Sequence, residues 1–210
     1  MTNRALIAFD YDGVLVDSLD RDMIAINEIC REMKLNSTLT RHHVEQVENM
    51  TFDALTEQIG VPADIRPKFQ RRVIETLQRH SGTMRFFPGI AEFIGKAVRR
   101  HLLVVVTSNE TDLVKDALDS AGLLHHFSHV LGDGSISKAE KLTNLVAELN
   151  IDPANTYMIG DAVSDIRQGK LAGVKTVAVS WGFQTQKRLL QEAPDLIAET
   201  PQHLAELFSV

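Results

Sequence analysis

The sequence predicts a doubly wound α/β core interrupted by a helical segment, and three observations carry that prediction. Beyond Phe87-Pro88-Gly89, short apolar runs alternate with helical patterns, an order that builds a parallel sheet with right-handed crossovers. The runs are continuously apolar, as strands covered on both faces are. Between the first run and the rest, residues 18–85 show helical periodicity and no convincing strand. A chain of 210 residues suits one large domain or one domain with an insertion. The expected division is a core of residues 1–17 and 86–210 and a helical insertion of residues 18–85.

Each element follows from local pattern. The first strand is Ala5–Phe9, and it stops at Asp10-Tyr11-Asp12-Gly13. In the insertion, Ile24, Ile26, Ile29 and Met33 form an apolar stripe. Thr40 suits an N-cap for a helix through Val44 and Val47, and Thr51 for one carrying Leu55 and Ile59, with Gly60 as its stop. A last helix spans about Asp64 to Arg79, with Phe69, Val73 and Leu77 on one face. Pro88 suits the start of a helix through Ile90, Phe93, Ile94 and Ala97. There follow a strand at 102–107, a helix at 110–121, a short strand near 129–131 and a helix at 138–149. A strand at 156–160, a helix at 162–172 and a strand at 175–180 complete the alternation.

Composition narrows the function classes. A net charge of −6 argues against a nucleic-acid polymer as partner, which calls for a basic face. Residues 18–85 carry ten Lys/Arg and ten Asp/Glu, so the negative balance lies outside the insertion. No apolar run approaches the roughly 20 residues of a membrane span. The N-terminus runs into the first strand without a charged-then-apolar leader, and the expectation is a cytoplasmic protein, monomer or homodimer. The single Cys30 lies in a helical apolar pattern and reads as a small buried hydrophobe. His42-His43 and His125-His126 lack metal-ligand spacing. Arg41, His42 and Lys68 read as solvated charges of the insertion.

Four segments end in groups that carry chemistry. Asp10 and Asp12 follow the first strand at i, i+2, a spacing that faces one way in extended chain, and Gly13 permits a sharp turn beside them. Leu102–Val106 ends in Thr107-Ser108-Asn109, which offers hydroxyl and N–H donors at a strand end and helix start, a natural phosphate site. Lys138 and Lys141 follow the loop Gly132-Asp-Gly-Ser-Ile-Ser137. Thr156–Ile159 ends in Gly160-Asp161-Ala-Val-Ser-Asp165. Open α/β sheets bind ligands at the carboxyl ends of their strands, where all four segments fall. Unpaired acids at a buried strand end are costly and must meet a cation, each other, or a substrate.

Together these segments resemble the four motifs of the haloacid dehalogenase-like hydrolase superfamily, and within it the phosphoglycolate phosphatase and β-phosphoglucomutase group with a small helical cap. The likeness covers essentially the whole chain. It implies a phosphatase acting on a small phosphorylated metabolite, with Asp10 as nucleophile and Asp12 as general acid and then base. It implies Mg²⁺ held by Asp10, the Asp12 carbonyl and Asp161, with Asp165 bound directly or through water. Thr107, Ser108, Asn109 and Gly13 are then expected around the phosphate, and Lys138 as its counter-charge. The family often has proline after this lysine where Ala139 stands here, which leaves Lys141 as an alternative.

Competing readings remain. A phosphosugar mutase would keep every core motif. A hydrolytic dehalogenase typically lacks an acid at the position of Asp12. A phosphonate hydrolase needs a buried lysine in the insertion, and nothing marks Lys34 or Lys68 as buried. A non-enzymatic phospho-aspartate signalling module is shorter, carries its acid on a middle strand and has no helical insertion. A catalytically idle scaffold would have no reason to keep a competent residue at every one of these positions.

Overall fold

In a computed structural model of the protein, which describes residues 4–79 and 84–210, the chain forms the predicted α/β architecture. Its contacts divide it into two compact units, one of the residues up to Asp17 with Arg85–Val210, the other of Ser18–Met84.

The larger unit is built on six strands: β1 (Leu6–Phe9), β2 (Leu102–Val106), β3 (His129–Leu131), β4 (Thr156–Gly160), β5 (Lys175–Val179) and β6 (Leu196–Ala198). All pair in parallel, in the order β3-β2-β1-β4-β5-β6. The strand order reverses at β1 and β4, and the crevice beyond the carboxyl ends of such a pair is where doubly wound sheets bind ligands. Period-2 alternation sends Leu6, Ala8, Val104, Val106 and Met158 to one face, where they pack on Leu142, Leu145 and Val146 of α7 (Lys138–Leu149). On the other face, the Phe9 ring meets Phe93 and Phe127 edge-on at 6.0 and 6.1 Å. Phe93 lies on α5 (Ile90–Ala97). Both faces of β1 are thus buried, which is why its sequence is apolar throughout.

Helices α6 (Thr111–Ser120), α8 (Val163–Leu171), α9 (Gln186–Leu190) and α10 (Pro201–Leu207) complete this unit. β6, α9 and α10 lie beyond residue 180 and have no counterpart among the elements expected from the sequence. Where the chain leaves and re-enters the core it pairs with itself. Val16 bridges Phe86 antiparallel, with Asp17 N–H donating to the Arg85 carbonyl at 2.8 Å and Phe87 N–H to that of Leu15 at 3.0 Å.

The smaller unit is helical among its described residues: α1 (Leu19–Glu32), α2 (Arg41–Gln46), α3 (Phe52–Gln58) and α4 (Arg66–Arg79). Thr40 and Thr51 cap α2 and α3 through their hydroxyls, each accepting the backbone N–H three residues on. Asn27 ties down the chain between α1 and α2, donating to the Leu39 carbonyl at 2.9 Å and accepting its N–H at 2.7 Å. The expected α1 stripe is corrected in one place: Ala25, Ile26, Ile29 and Cys30 are buried, while Ile24 is 59% exposed. Adjacent residues on a helix lie about 100° apart, so Ile24 and Ile26 cannot share one narrow face. No helix among the described residues is long and apolar enough to cross a membrane.

Candidate active site

β1 delivers Asp10 one residue past Phe9, whose register partners are Val105 and Ile159. The Asp10 N–H still donates to the Ile159 carbonyl, at 2.9 Å, as the chain leaves the sheet. It then folds back, with the N–H groups of Leu15 and Val16 both donating to the Tyr11 carbonyl. Asp12 therefore sits in this turn, not two residues along an extended strand as its spacing suggested. Its carboxylate accepts from Asn109 Nδ2 at 3.1 Å.

Asp161 follows β4, the strand beside β1. α8 begins at Val163 with Ala162 at its N-cap, so Asp161 lies outside the helix and the i, i+4 spacing of Asp161 and Asp165 does not place them on one helical face. The two acids approach because Asp165 reaches back over the strand end, where its Oδ2 accepts the Ala162 N–H at 3.1 Å. Carboxylate oxygens of Asp10, Asp161 and Asp165 all lie within 4.8 Å of one another, and all three residues are buried. Lys138, at the start of α7, places Nζ 2.7 Å from Asp10 Oδ2 and 2.7 Å from Asp165 Oδ1. Lys141 does not reach the acids; its ammonium donates to the carbonyls of Thr107, at 2.8 Å, and Asp133.

The electrostatics follow from burial. Desolvation is the largest influence on Asp10; the Lys138 ammonium opposes it and the Asp165 charge adds to it, leaving the pKa raised to about 7. Asp161 is held well above the usual carboxylate range by burial, then by Asp165 and Asp10. Burial also disfavours the Lys138 ammonium, but the Asp10 and Asp165 carboxylates outweigh it and its pKa lies above the usual lysine value. Burial, then the neighbouring Lys138 charge, lowers that of Lys141. One contacting ammonium for three buried acids leaves the cluster electron-rich. Its donors are hard oxygens, the set that suits a small divalent cation such as Mg²⁺. The residues present therefore fit such an ion, with Asp10, Asp161 and Asp165 as the side chains able to hold it.

Gly13 makes the convergence possible. Its φ is +77°, and a Cβ there would lie 2.0 Å from Asp161 Oδ2. Thr107 is buried at the end of β2, and its hydroxyl accepts the Asn109 N–H at 3.1 Å. Asn109 Oδ1 accepts the Glu110 N–H at 2.8 Å, while Ser108 is exposed. The loop after β5 was missed. There Phe183 N–H donates to Asp161 Oδ2 at 2.6 Å, and Gln184 Oε1 accepts the Val163 N–H at 2.8 Å. Trp181 Nε1 donates to the Val14 carbonyl at 3.2 Å. A Cβ on Gly182 would lie 2.2 Å from that of Asp161. The available signal was positional: Ser180–Gln184 follows the carboxyl end of an apolar strand, the end at which such sheets bind ligands.

The family model for haloacid dehalogenase-like hydrolases matches residues 7–179, which span every strand but the last. The chain belongs to this family. It is similar to the phosphoglycolate phosphatase of Synechococcus elongatus, with 30% identity over 95% of each chain. It is 26% identical to that of Chromobacterium violaceum, over 97% of this chain and 95% of the other. Among solved structures, a haloacid dehalogenase-like family hydrolase from Streptococcus pneumoniae superposes with a TM-score of 0.86 at 22% identity, covering 99% of this chain and 100% of that one, a likeness of fold. As a haloacid dehalogenase-like hydrolase, the protein is an enzyme that groups with the phosphatases of that family.

Proposed function

We propose that the protein is a Mg²⁺-dependent phosphatase that hydrolyses a small phosphomonoester of the phosphoglycolate type through an aspartyl-phosphate. The observation that carries this reading is the buried triad Asp10, Asp161 and Asp165 at the strand-order reversal, in contact with Lys138. Asp10 attacks phosphorus and the ester P–O bond breaks, while Asp12 gives its proton to the departing oxygen. Asp12 then takes a proton from water, whose oxygen attacks the same phosphorus, and inorganic phosphate leaves with Asp10 regenerated. The Asn109 contact holds the Asp12 carboxylate for both transfers. Lys138 supplies positive charge beside the nucleophile, and the Thr107 hydroxyl with the Ser108 amide offers donors to the phosphoryl oxygens. Mg²⁺, when bound, neutralises charge between the carboxylates and the phosphate. The cluster comes from one chain, so a monomer suffices for the chemistry and a homodimer would not change it. The lone, buried Cys30 is compatible with a cytoplasmic enzyme.

The test is phosphate release from a panel of phosphoglycolate, sugar phosphates, nucleotides and pyrophosphate. Turnover is expected with Mg²⁺ and absent in EDTA. Ca²⁺ is expected to bind yet inhibit, because its looser coordination by up to about eight oxygens displaces the attack geometry. Full activity in EDTA overturns the reading, and transfer of phosphate to a second sugar hydroxyl in place of release reassigns the enzyme as a mutase. Asp161→Ala should weaken Mg²⁺ binding by roughly tenfold or more in titration calorimetry, and Asp165→Ala by less.

Residues 18–85 are proposed as a cap that sets substrate choice. Exchanging them for the corresponding segment of a relative should reorder the substrate panel and preserve Mg²⁺ dependence. An unchanged ranking would move specificity to core loops such as 132–137.

A further inference from the structure

Lys141 is a buried cation that the proposed chemistry does not use. It is 5% exposed and sits on α7, three residues beyond Lys138. A lysine ammonium has three donors and no acceptor, and burying it is costly unless those donors are used. Two of them are: Nζ donates to the Thr107 carbonyl at 2.8 Å and to the Asp133 carbonyl. These carbonyls belong to different loops, the one after β2 and the one after β3. The two loops are also linked by backbone, since Asp133 N–H donates to the Asn109 carbonyl at 2.8 Å. Lys141 adds the charged link, and it grips a particular peptide plane.

That plane matters because of what lies on its other side. In a trans peptide the carbonyl and the following N–H point in opposite directions. Holding the Thr107 carbonyl therefore sets the direction of the Ser108 N–H. The preceding amide, Thr107 N–H, is already committed to the Leu131 carbonyl at 3.0 Å, and the following one, Asn109 N–H, to the Thr107 hydroxyl at 3.1 Å. The Ser108 N–H has no hydrogen-bond partner among the described residues. It stands at the end of β2, beside the strand that carries Asp10.

We propose that Lys141 is a positioning residue for phosphate binding, which by gripping the Thr107 carbonyl from within the core presents the Ser108 amide to an incoming phosphate. The proposal rests on the phosphatase reading. It deepens that reading by adding a buried lysine that acts through the backbone. Lys138 touches the acids, Lys141 shapes the donor loop, and the two lysines three residues apart on one helix divide the work.

The test compares wild type with Lys141→Met and Lys141→Arg, all Mg²⁺-loaded and matched by circular dichroism, using inorganic phosphate as probe. In Lys141→Met, phosphate affinity by calorimetry should fall about tenfold and KM rise by a similar factor, with kcat changing less than about threefold. The Ser108 amide resonance should shift on phosphate addition in wild type and stay still in Lys141→Met. Lys141→Arg, which keeps donors for both carbonyls, should restore at least half of that shift. If Lys141→Met does not fold, Lys141→Gln replaces it. The shorter amide reaches at most one of the two carbonyls, and a loss of phosphate affinity of threefold or more is expected. Wild-type phosphate affinity in a folded Met or Gln variant overturns the proposal, as does a loss confined to kcat. Failure of the phosphatase reading looks different: wild type then releases phosphate from no ester on the panel, whatever Lys141 does.

Discussion

Asp10→Asn is expected to remove turnover, by about a thousandfold or more in kcat, while the circular dichroism spectrum stays that of wild type. An amide cannot form the acyl-phosphate that splits hydrolysis into two steps. The same variant should report on the electrostatics. Because the Asp10 pKa is raised from the ordinary 3.8 to about 7, the folded protein holds a proton between these values that the unfolded chain has released. The stability of the metal-free wild type therefore falls as pH rises across that window. The asparagine variant has no such proton. Its melting temperature in EDTA, relative to wild type, should rise from about pH 4 to about pH 7 and level off above. Steady-state phosphate release within tenfold of wild type would overturn the role of Asp10. A melting-temperature difference that ignores pH would overturn the account of its burial.

Gly13→Ala is expected to cost about 2–4 kcal/mol of stability and to weaken Mg²⁺ binding at the same time. Two causes add. A φ of +77° is disfavoured for alanine by about 1–2 kcal/mol. The new methyl also lands on the Asp161 carboxylate, 2.0 Å from Oδ2. The carboxylate has nowhere to go: Asp161 is 1% exposed, Phe183 N–H holds its Oδ2 at 2.6 Å, and Gly182 lies against its Cβ. Relief must come from the turn itself, which carries Asp12. Urea denaturation with and without Mg²⁺ measures both effects. The steric part should vanish when Asp161 is already alanine, so the double variant should show only the cost of the positive φ. Strictly additive losses would locate the penalty in the backbone alone.

The sequence made the sheet legible where strands were long and apolar. The bounds of β4 and α7 follow from runs that begin and end at polar residues. Leu196–Ala198, α9 and α10 fall beyond residue 180, past the last element expected from the sequence. The placement of Asp10 beside Asp161 could be read because each ends an apolar run and adjacent strands bring their ends together. Their detailed approach could not. It depends on a turn after β1 and on a side chain reaching back from α8, neither of which i, i+2 or i, i+4 spacing encodes. The support under Asp161 was hidden for another reason. Backbone N–H groups, such as that of Phe183, are common to every residue and leave no mark in a sequence.

β1 has a consequence for how the protein is made. Leu6–Phe9 leaves the ribosome before any other strand, yet its partners are Leu102–Val105 on one side and Thr156–Ile159 on the other. The central strand of the sheet is thus an apolar orphan until about a hundred further residues have been translated, which at roughly 5–20 residues per second is a wait of several seconds. The helices of residues 18–79 pack on one another, α1 against α4, and can assemble meanwhile, since these contacts span less chain than the pairings of β1. An apolar strand left waiting with both edges open is a seed for aggregation, so conditions that slow synthesis of the segment up to β2 should lower soluble yield more than equal delays after β4.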